Sequence, residues 1–125
     1  MRAIVLGGAA EAIGPYSQAL SANGFIFLAG QIPIDPTTHE VIEGGVERQA
    51  ERVLENISAI LKAAGSNMEN VVRCIVFLKS MNDFAAVNKI YAKFFTGTPR
   101  PVRTTVEASG LPRNCLIEIE ATALE

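Results

Sequence analysis

The chain has 125 residues, 49% of them hydrophobic, with 11 Lys and Arg against 13 Asp and Glu, hence a net charge of −2. That length predicts one domain over residues 1–125, burying roughly two-thirds of its unfolded surface, and the apolar share excludes a disordered chain. The acidic balance leaves no electrostatic footprint for DNA or RNA, two cysteines cannot build a disulfide framework, and one histidine without a Cys-x-x-Cys pair gives zinc too few ligands.

In chain order, residues 2–6 form a short apolar run that reads as an edge strand. The start has one arginine and lacks the long apolar region of a signal peptide, and no run approaches the roughly 18 residues of a membrane span. The expectation is a soluble, cytoplasmic protein with no cofactor or metal. A mitochondrial address stays open, although no Arg- and Ser-rich presequence is visible. Gly7, Gly8, Gly14 and Pro15 mark irregular chain, and Gly7-Gly8 lacks the Lys-Ser/Thr of a phosphate loop. Residues 17–22 and 25–29 read as strands joined at Asn23-Gly24, because both turn residues of a tight hairpin need positive φ. Pro33 and Pro36 then interrupt any strand.

Residues 46–64 carry apolar side chains at 46, 50, 53, 54, 57, 60, 61 and 64, the spacing of one helical face, and Gly65 suits a left-handed C-cap. Residues 71–78 are apolar on both faces except Arg73, the pattern of a buried central strand. Ser80 to Asp83 resembles a capping box opening a second helix with a stripe of Phe84, Val87, Tyr91 and Phe95. Gly97, Pro99 and Pro101 break that helix, and residues 102–107 and 116–123 are the last strands. This order predicts a sheet with parallel members and helices on one face. The other face stays uncovered, so oligomerisation is the natural remedy.

Strand alternation puts Arg103, Thr105 and Glu107 on one face of 102–107, opposite Val102, Thr104 and Val106. It sets Glu118, Glu120 and Thr122 opposite Ile117, Ile119 and Ala121. These charges fit either a solvated edge with an ion pair or a pocket holding a guanidinium and a carboxylate. An arginine grips a planar carboxylate through two parallel hydrogen bonds, and a glutamate can move protons to and from water. Asn88 borders the aromatic stripe, either half-exposed or lining a site. Tyr16 is either a packed loop aromatic or a pocket hydroxyl. Cys74 and Cys115 read as small core residues, and His39 as a surface-loop residue.

Ile13-Gly14-Pro15-Tyr16-Ser17-Gln18-Ala19, Gly30-Gln31-Ile32-Pro33 with Asp35-Pro36, and Asn82-Asp83-Phe84 through Asn88, Tyr91 and Phe94-Phe95 occur in order. Pro101-Val102-Arg103, Leu111-Pro112 and Ile117-Glu118-Ile119-Glu120-Ala121 follow. Over nearly its whole length the chain thus resembles the RidA/YjgF family of reactive-intermediate imine and enamine deaminases. The resemblance implies an α+β, chorismate-mutase-like domain. Its mixed six-stranded sheet would carry two helices on one face, and it would assemble as a homotrimer with sites between subunits. It implies that another strand separates the last two, so Arg103 and Glu118 need not be neighbours. It implies hydrolysis of 2-iminobutanoate- and 2-iminopropanoate-type compounds, formed by pyridoxal-phosphate enzymes, to 2-oxo acids and ammonia. Arg103 would hold the substrate carboxylate and Glu118 would activate water. Tyr16, Gly30, Asn88 and Thr105 would line the pocket, with no cofactor and no metal.

Ala29 stands where many members have Ser, and Thr105 where Cys is common, which bears on substrate preference. Arg100 is a second arginine near the expected position. Arg103 fits better by its spacing to Leu111-Pro112 and Glu118, and because a strand fixes a side chain better than a loop. Two other readings accompany the family: an RNA-directed endoribonuclease or translation inhibitor, and a non-catalytic trimer binding small carboxylates. The acidic balance and the lack of an Arg/Lys-aromatic stripe weigh against RNA, and Arg103 favours the deaminase.

Overall fold

The computed structural model describes residues 1–4 and 14–125. Val5, Leu6, the Gly7-Gly8 pair and Ile13 lie outside the described residues. In chain order the elements are β1 (Arg2–Ile4), β2 (Ala19–Ala22), β3 (Phe25–Gln31), α1 (Val46–Ala63), β4 (Val71–Leu78), α2 (Phe84–Phe94), β5 (Val102–Glu107) and β6 (Ile117–Leu124). The strands make one six-stranded sheet in the order β1-β2-β3-β6-β4-β5. β4 and β5 pair in parallel, as a helical crossover through α2 requires, and the other neighbours are antiparallel. The expected mixed sheet is present, and β4 does separate the last two strands.

Asn23 and Gly24 take φ of 58° and 82°, the paired positive angles of a tight hairpin, and Ala22 faces Phe25 across it. Helix α1 buries Ala50, Val53, Leu54, Ile57, Ile60 and Leu61 along the predicted stripe. Gly65, at φ 83°, ends it: the Gly65 amide donates to the Lys62 carbonyl and the Ser66 amide to Leu61. Gln49 is a polar residue in that buried face. Its Oε1 accepts from the Leu116 amide at 2.8 Å, tying the helix start to the approach of β6.

Three expectations are corrected. The capping box at Ser80 is instead a 3₁₀ turn, Met81–Asp83. Ser80 Oγ accepts from the Asn82 amide, and α2 begins only at Phe84. The predicted strand 17–22 starts at Ala19. The predicted strand 25–29 runs on to Gln31, because a β-bulge between Leu28 and Gln31 lets β3 stay paired with β6.

One face of the sheet is packed under α1, which lies on β6 and β3, with α2 against α1. Ile26, Leu28, Cys74, Val76, Leu78, Ile117, Ile119 and Ala121 point into this core. Among the described residues no element covers the other face. Phe25, Phe27, Val102, Val106 and Leu124 are all exposed there, Val102 by 66%, and the rings of Phe25 and Phe27 lie 6.1 Å apart. Singly exposed apolar residues are ordinary, but five on one uncovered sheet face mark a candidate interaction surface. Among the described residues, no helix is long and apolar enough to cross a membrane.

Candidate functional site

Cross-strand register decides which charged residues share a face, because residues opposite one another in a ladder point the same way. Arg103 pairs with Cys74, which in turn pairs with Ala121, and both partners are buried. Arg103 therefore points to the helix side, as does Thr105, opposite Val76. The Arg103 guanidinium carbon lies 4.7 Å from the centre of the Tyr91 ring and 5.5 Å from that of Phe84, both on α2. Asn88 follows Phe84 by four residues and precedes Tyr91 by three, so its half-buried amide shares their side of the helix. Arg103 is partly buried. Among the described residues it has no acidic partner; the one ion pair is Arg52 with Glu55, at 3.2 Å.

Glu118 belongs to the bare face. It pairs with Phe77, which pairs with Val106, one of the exposed residues above. Its carboxylate is tucked beside Gly30 at the β3 bulge, so closely that a Cβ at Gly30 would overlap it. Partial burial, and secondarily the charge of Glu120 two residues on, raise the Glu118 carboxyl above the usual glutamate value. The bulge is held by side-chain amides. Gln31 Nε2 donates to the Ala29 carbonyl and to Gln18 Oε1, each at 3.0 Å, while the Ala29 amide donates to the Gln18 carbonyl. Tyr16 stands two residues before Gln18, 53% exposed, after a Gly14 at φ 119° whose carbonyl accepts from the Tyr16 amide.

The close fit at Gly30 carries a prediction. Gly30→Ala is expected to cost about 1–3 kcal/mol of stability in thermal unfolding, as overpacking does. Glu118→Ala in the same chain is expected to return most of that loss, since it removes the atoms that collide. Equal costs for Gly30→Ala in both backgrounds would show that the glycine serves the bulge backbone instead.

The candidate residues thus fall into two halves. Arg103, Thr105 and Asn88 lie on the helix side, at the β5 edge of the sheet. Glu118 and Gly30 lie on the bare side, with Tyr16 near the same bulge. The sheet itself intervenes, so the two halves of one chain do not converge. Arg100, the rival arginine, is exposed, and its Nε donates to the Phe95 carbonyl at the end of α2. His39 is an exposed loop residue whose carbonyl accepts from Arg113. Both cysteines are buried; burial pushes the Cys74 thiol up to about 11 and raises that of Cys115, leaving little thiolate at neutral pH. Sequence reasoning took Phe84 and Tyr91 only as a core stripe and missed their contact with Arg103. It missed Gln49 and the Gln31–Gln18 pair because a buried amide gives no periodic signal.

The family model described as endoribonuclease L-PSP matches residues 7–125. A RutC family protein of Pyrococcus horikoshii is 54% identical over 115 residues, spanning 92% of this chain and 90% of the relative. The mouse protein named 2-iminobutanoate/2-iminopropanoate deaminase is 44% identical over 117 residues, 94% of this chain and 86% of its own. The crystal structure of E. coli TdcF with bound serine superposes with a TM-score of 0.92 at 38% identity, covering 100% of this chain and 99% of that one.

Proposed function

The chain belongs to the RidA/YjgF family, and from that premise we propose that it is a 2-iminobutanoate/2-iminopropanoate deaminase, working as a homotrimer with its sites between subunits. The observation that carries this reading is Arg103: a partly buried guanidinium with aromatic rings against it and no acidic partner among the described residues. A cation so held is complementary to a small carboxylate, which accepts both arms of the fork. The serine bound by TdcF and the imino acids named for the mouse relative are of that class.

Hydrolysis then needs little beyond orientation and one proton carrier. The carbon of a protonated imine is already electrophilic. Water adds to it, forming a C–O bond while the C=N electron pair moves to nitrogen. The carboxylate of Glu118 takes the water proton and returns it to nitrogen. Glu118 then takes the hydroxyl proton as the O–H electron pair closes the C=O bond and the C–N bond breaks, giving a 2-oxo acid and ammonia, which carries that proton away as ammonium. A glutamate whose pKa is raised holds a transferred proton more readily than an ordinary one, which suits it to this exchange. Because Arg103 and Glu118 of one chain face opposite sides of the sheet, a site using both takes Arg103 from one subunit and Glu118 from the next. The bare apolar face, which carries Glu118, is the surface such an assembly would cover.

The test is a coupled assay in which a pyridoxal-phosphate dehydratase generates the enamine and decay of the imine is followed. Acceleration by the protein, with a trimer in sedimentation, is the expected result. Binding of small carboxylates without acceleration for any of several 2-imino acids would replace the enzyme with a carboxylate-binding module.

A further inference from the structure

Arg103 is the one functional cation in the proposed site, and how it is held bears on what it can bind. A guanidinium is commonly fixed by a carboxylate, which occupies its in-plane N–H donors and cancels its charge. Here it lies against the rings of Tyr91, at 4.7 Å, and Phe84, at 5.5 Å, seven residues apart on one side of α2. Both rings are firmly seated. Tyr91 is only 7% exposed and stacks on Phe95 with centroids 4.5 Å apart, and Phe84 packs against the core.

Attraction to a ring face acts through the ring quadrupole and leaves the guanidinium its full charge. The Tyr91 hydroxyl adds nothing polar to the hold: it is buried beside the Cys74 thiol and makes no hydrogen bond to Arg103.

We infer that Phe84 and Tyr91 are positioning residues that form an aromatic bracket for Arg103, fixing its orientation without neutralising it and so reserving its charge and donors for a substrate carboxylate. This rests on Arg103 being the carboxylate anchor under the proposed function. Three consequences follow from the physics. The rings act on binding more than on the chemical step, since they touch neither the reacting carbon nor the water. The ring of Tyr91 matters and its hydroxyl does not. An acid placed where a ring stands would hold the arginine as well or better, yet would spoil it for an anion.

The experiment uses the full chain and two readouts. One is the Kd of 2-oxobutanoate, the stable product-class carboxylate, by calorimetry; the other is KM and kcat in the coupled imine assay. Tyr91→Leu and Phe84→Leu are each expected to weaken binding and raise KM by about three- to thirtyfold, the span of a cation–π contact from exposed to desolvated, with kcat much less affected. Tyr91→Phe is expected to restore affinity close to that of the natural chain. Phe84→Glu is expected to weaken binding beyond Phe84→Leu. Circular dichroism and melting identify any variant that fails to fold. If Tyr91→Leu is among them, Phe84→Leu with Phe84→Glu carries the same prediction.

Folded leucine variants with unchanged Kd and KM would overturn the bracket while leaving the anchor intact, provided Arg103→Ala alone abolishes binding. A fall in kcat alone, or Phe84→Glu binding as tightly as Phe84→Leu, would also overturn it. Unaltered binding by Arg103→Ala, or no binding of 2-oxobutanoate by the natural chain, would instead overturn the anchor and with it the bracket.

Discussion

Arg103→Ala is expected to raise KM for a 2-imino acid about a hundredfold and to abolish measurable binding of 2-oxobutanoate, while the melting temperature changes little. Two charge-assisted hydrogen bonds to a carboxylate, partly shielded from water, are worth about 3 kcal/mol together, and every 1.4 kcal/mol is about tenfold in affinity. The effect falls mainly on KM because the carboxylate is held alike in substrate and transition state, although a loosened substrate also loses some kcat. Arg103→Lys is expected to recover only part of the loss. An ammonium supplies the charge but not the planar fork, and it stacks less well on Tyr91 and Phe84. The cost to stability is limited to the ring contacts with Tyr91 and Phe84, because Arg103 has no ion pair among the described residues to break. Steady-state kinetics on the two variants, with calorimetry beside them, checks this. A variant that keeps its KM would remove Arg103 from the site.

Glu118→Gln is expected to do the opposite in kinetics: kcat falls roughly 10²–10⁴-fold, the usual worth of a positioned acid–base group, with KM nearly unchanged. The amide keeps the shape beside Gly30 but cannot carry the proton between water and nitrogen. The same substitution has a signature in stability. Burial and Glu120 raise the Glu118 carboxyl above 4.5, so the folded chain holds that proton more tightly than the unfolded chain does. Stability therefore declines as pH rises from about 4.5 through the raised value, and stays lower above it. Glu118→Gln removes that decline. Its melting temperature is expected to exceed that of the natural chain at neutral pH, with the gain vanishing below about pH 4.5. A gain of the same size at pH 4 and pH 7 would show that Glu118 is not the strained ionisable group.

Much of this arrangement was legible in the sequence, for local reasons. Val71–Leu78 declared itself a central strand and α1 a helix by hydrophobic pattern, although Val72 is exposed and the strand is not buried on both faces as expected; Asn23-Gly24 declared itself by the positive φ that only a few residues accept. Alternation also separated Arg103 from Val102, and Glu118 from Ile117, correctly. It could not say which face of each strand is covered. That depends on β4 lying between β5 and β6, and the β4–β6 pairing joins residues 39 to 52 apart in sequence. The residues that escaped are those whose role is set by a distant partner. Gln31 holds a bulge only because Gln18 lies beside it, and Gln49 is buried only because the Leu116 amide needs an acceptor. Tyr91 and Phe84 sit where a core stripe would put them, and nothing in their spacing announces that a guanidinium from β5 lies on their rings. At Ser80 the local signal misled. The side chain caps a 3₁₀ turn through the Asn82 amide, and the helix starts later than the S-x-x-D pattern suggests.

The placement of Arg103 and Glu118 on opposite faces makes the division of the site between subunits the central claim, and mixing subunits tests it directly. Arg103→Ala and Glu118→Ala chains, each about a hundredfold or more less active alone when substrate is well below KM, would be unfolded together and refolded as mixed oligomers, then assayed for imine hydrolysis under that condition. If each site draws Arg103 from one chain and Glu118 from its neighbour, about a quarter of the sites in a random equal mixture regain both, and activity returns toward that share of the natural level. If both residues of a site come from one chain, every site in the mixture lacks one of them. Mixed oligomers that form yet stay as inactive as their parents would contradict the account.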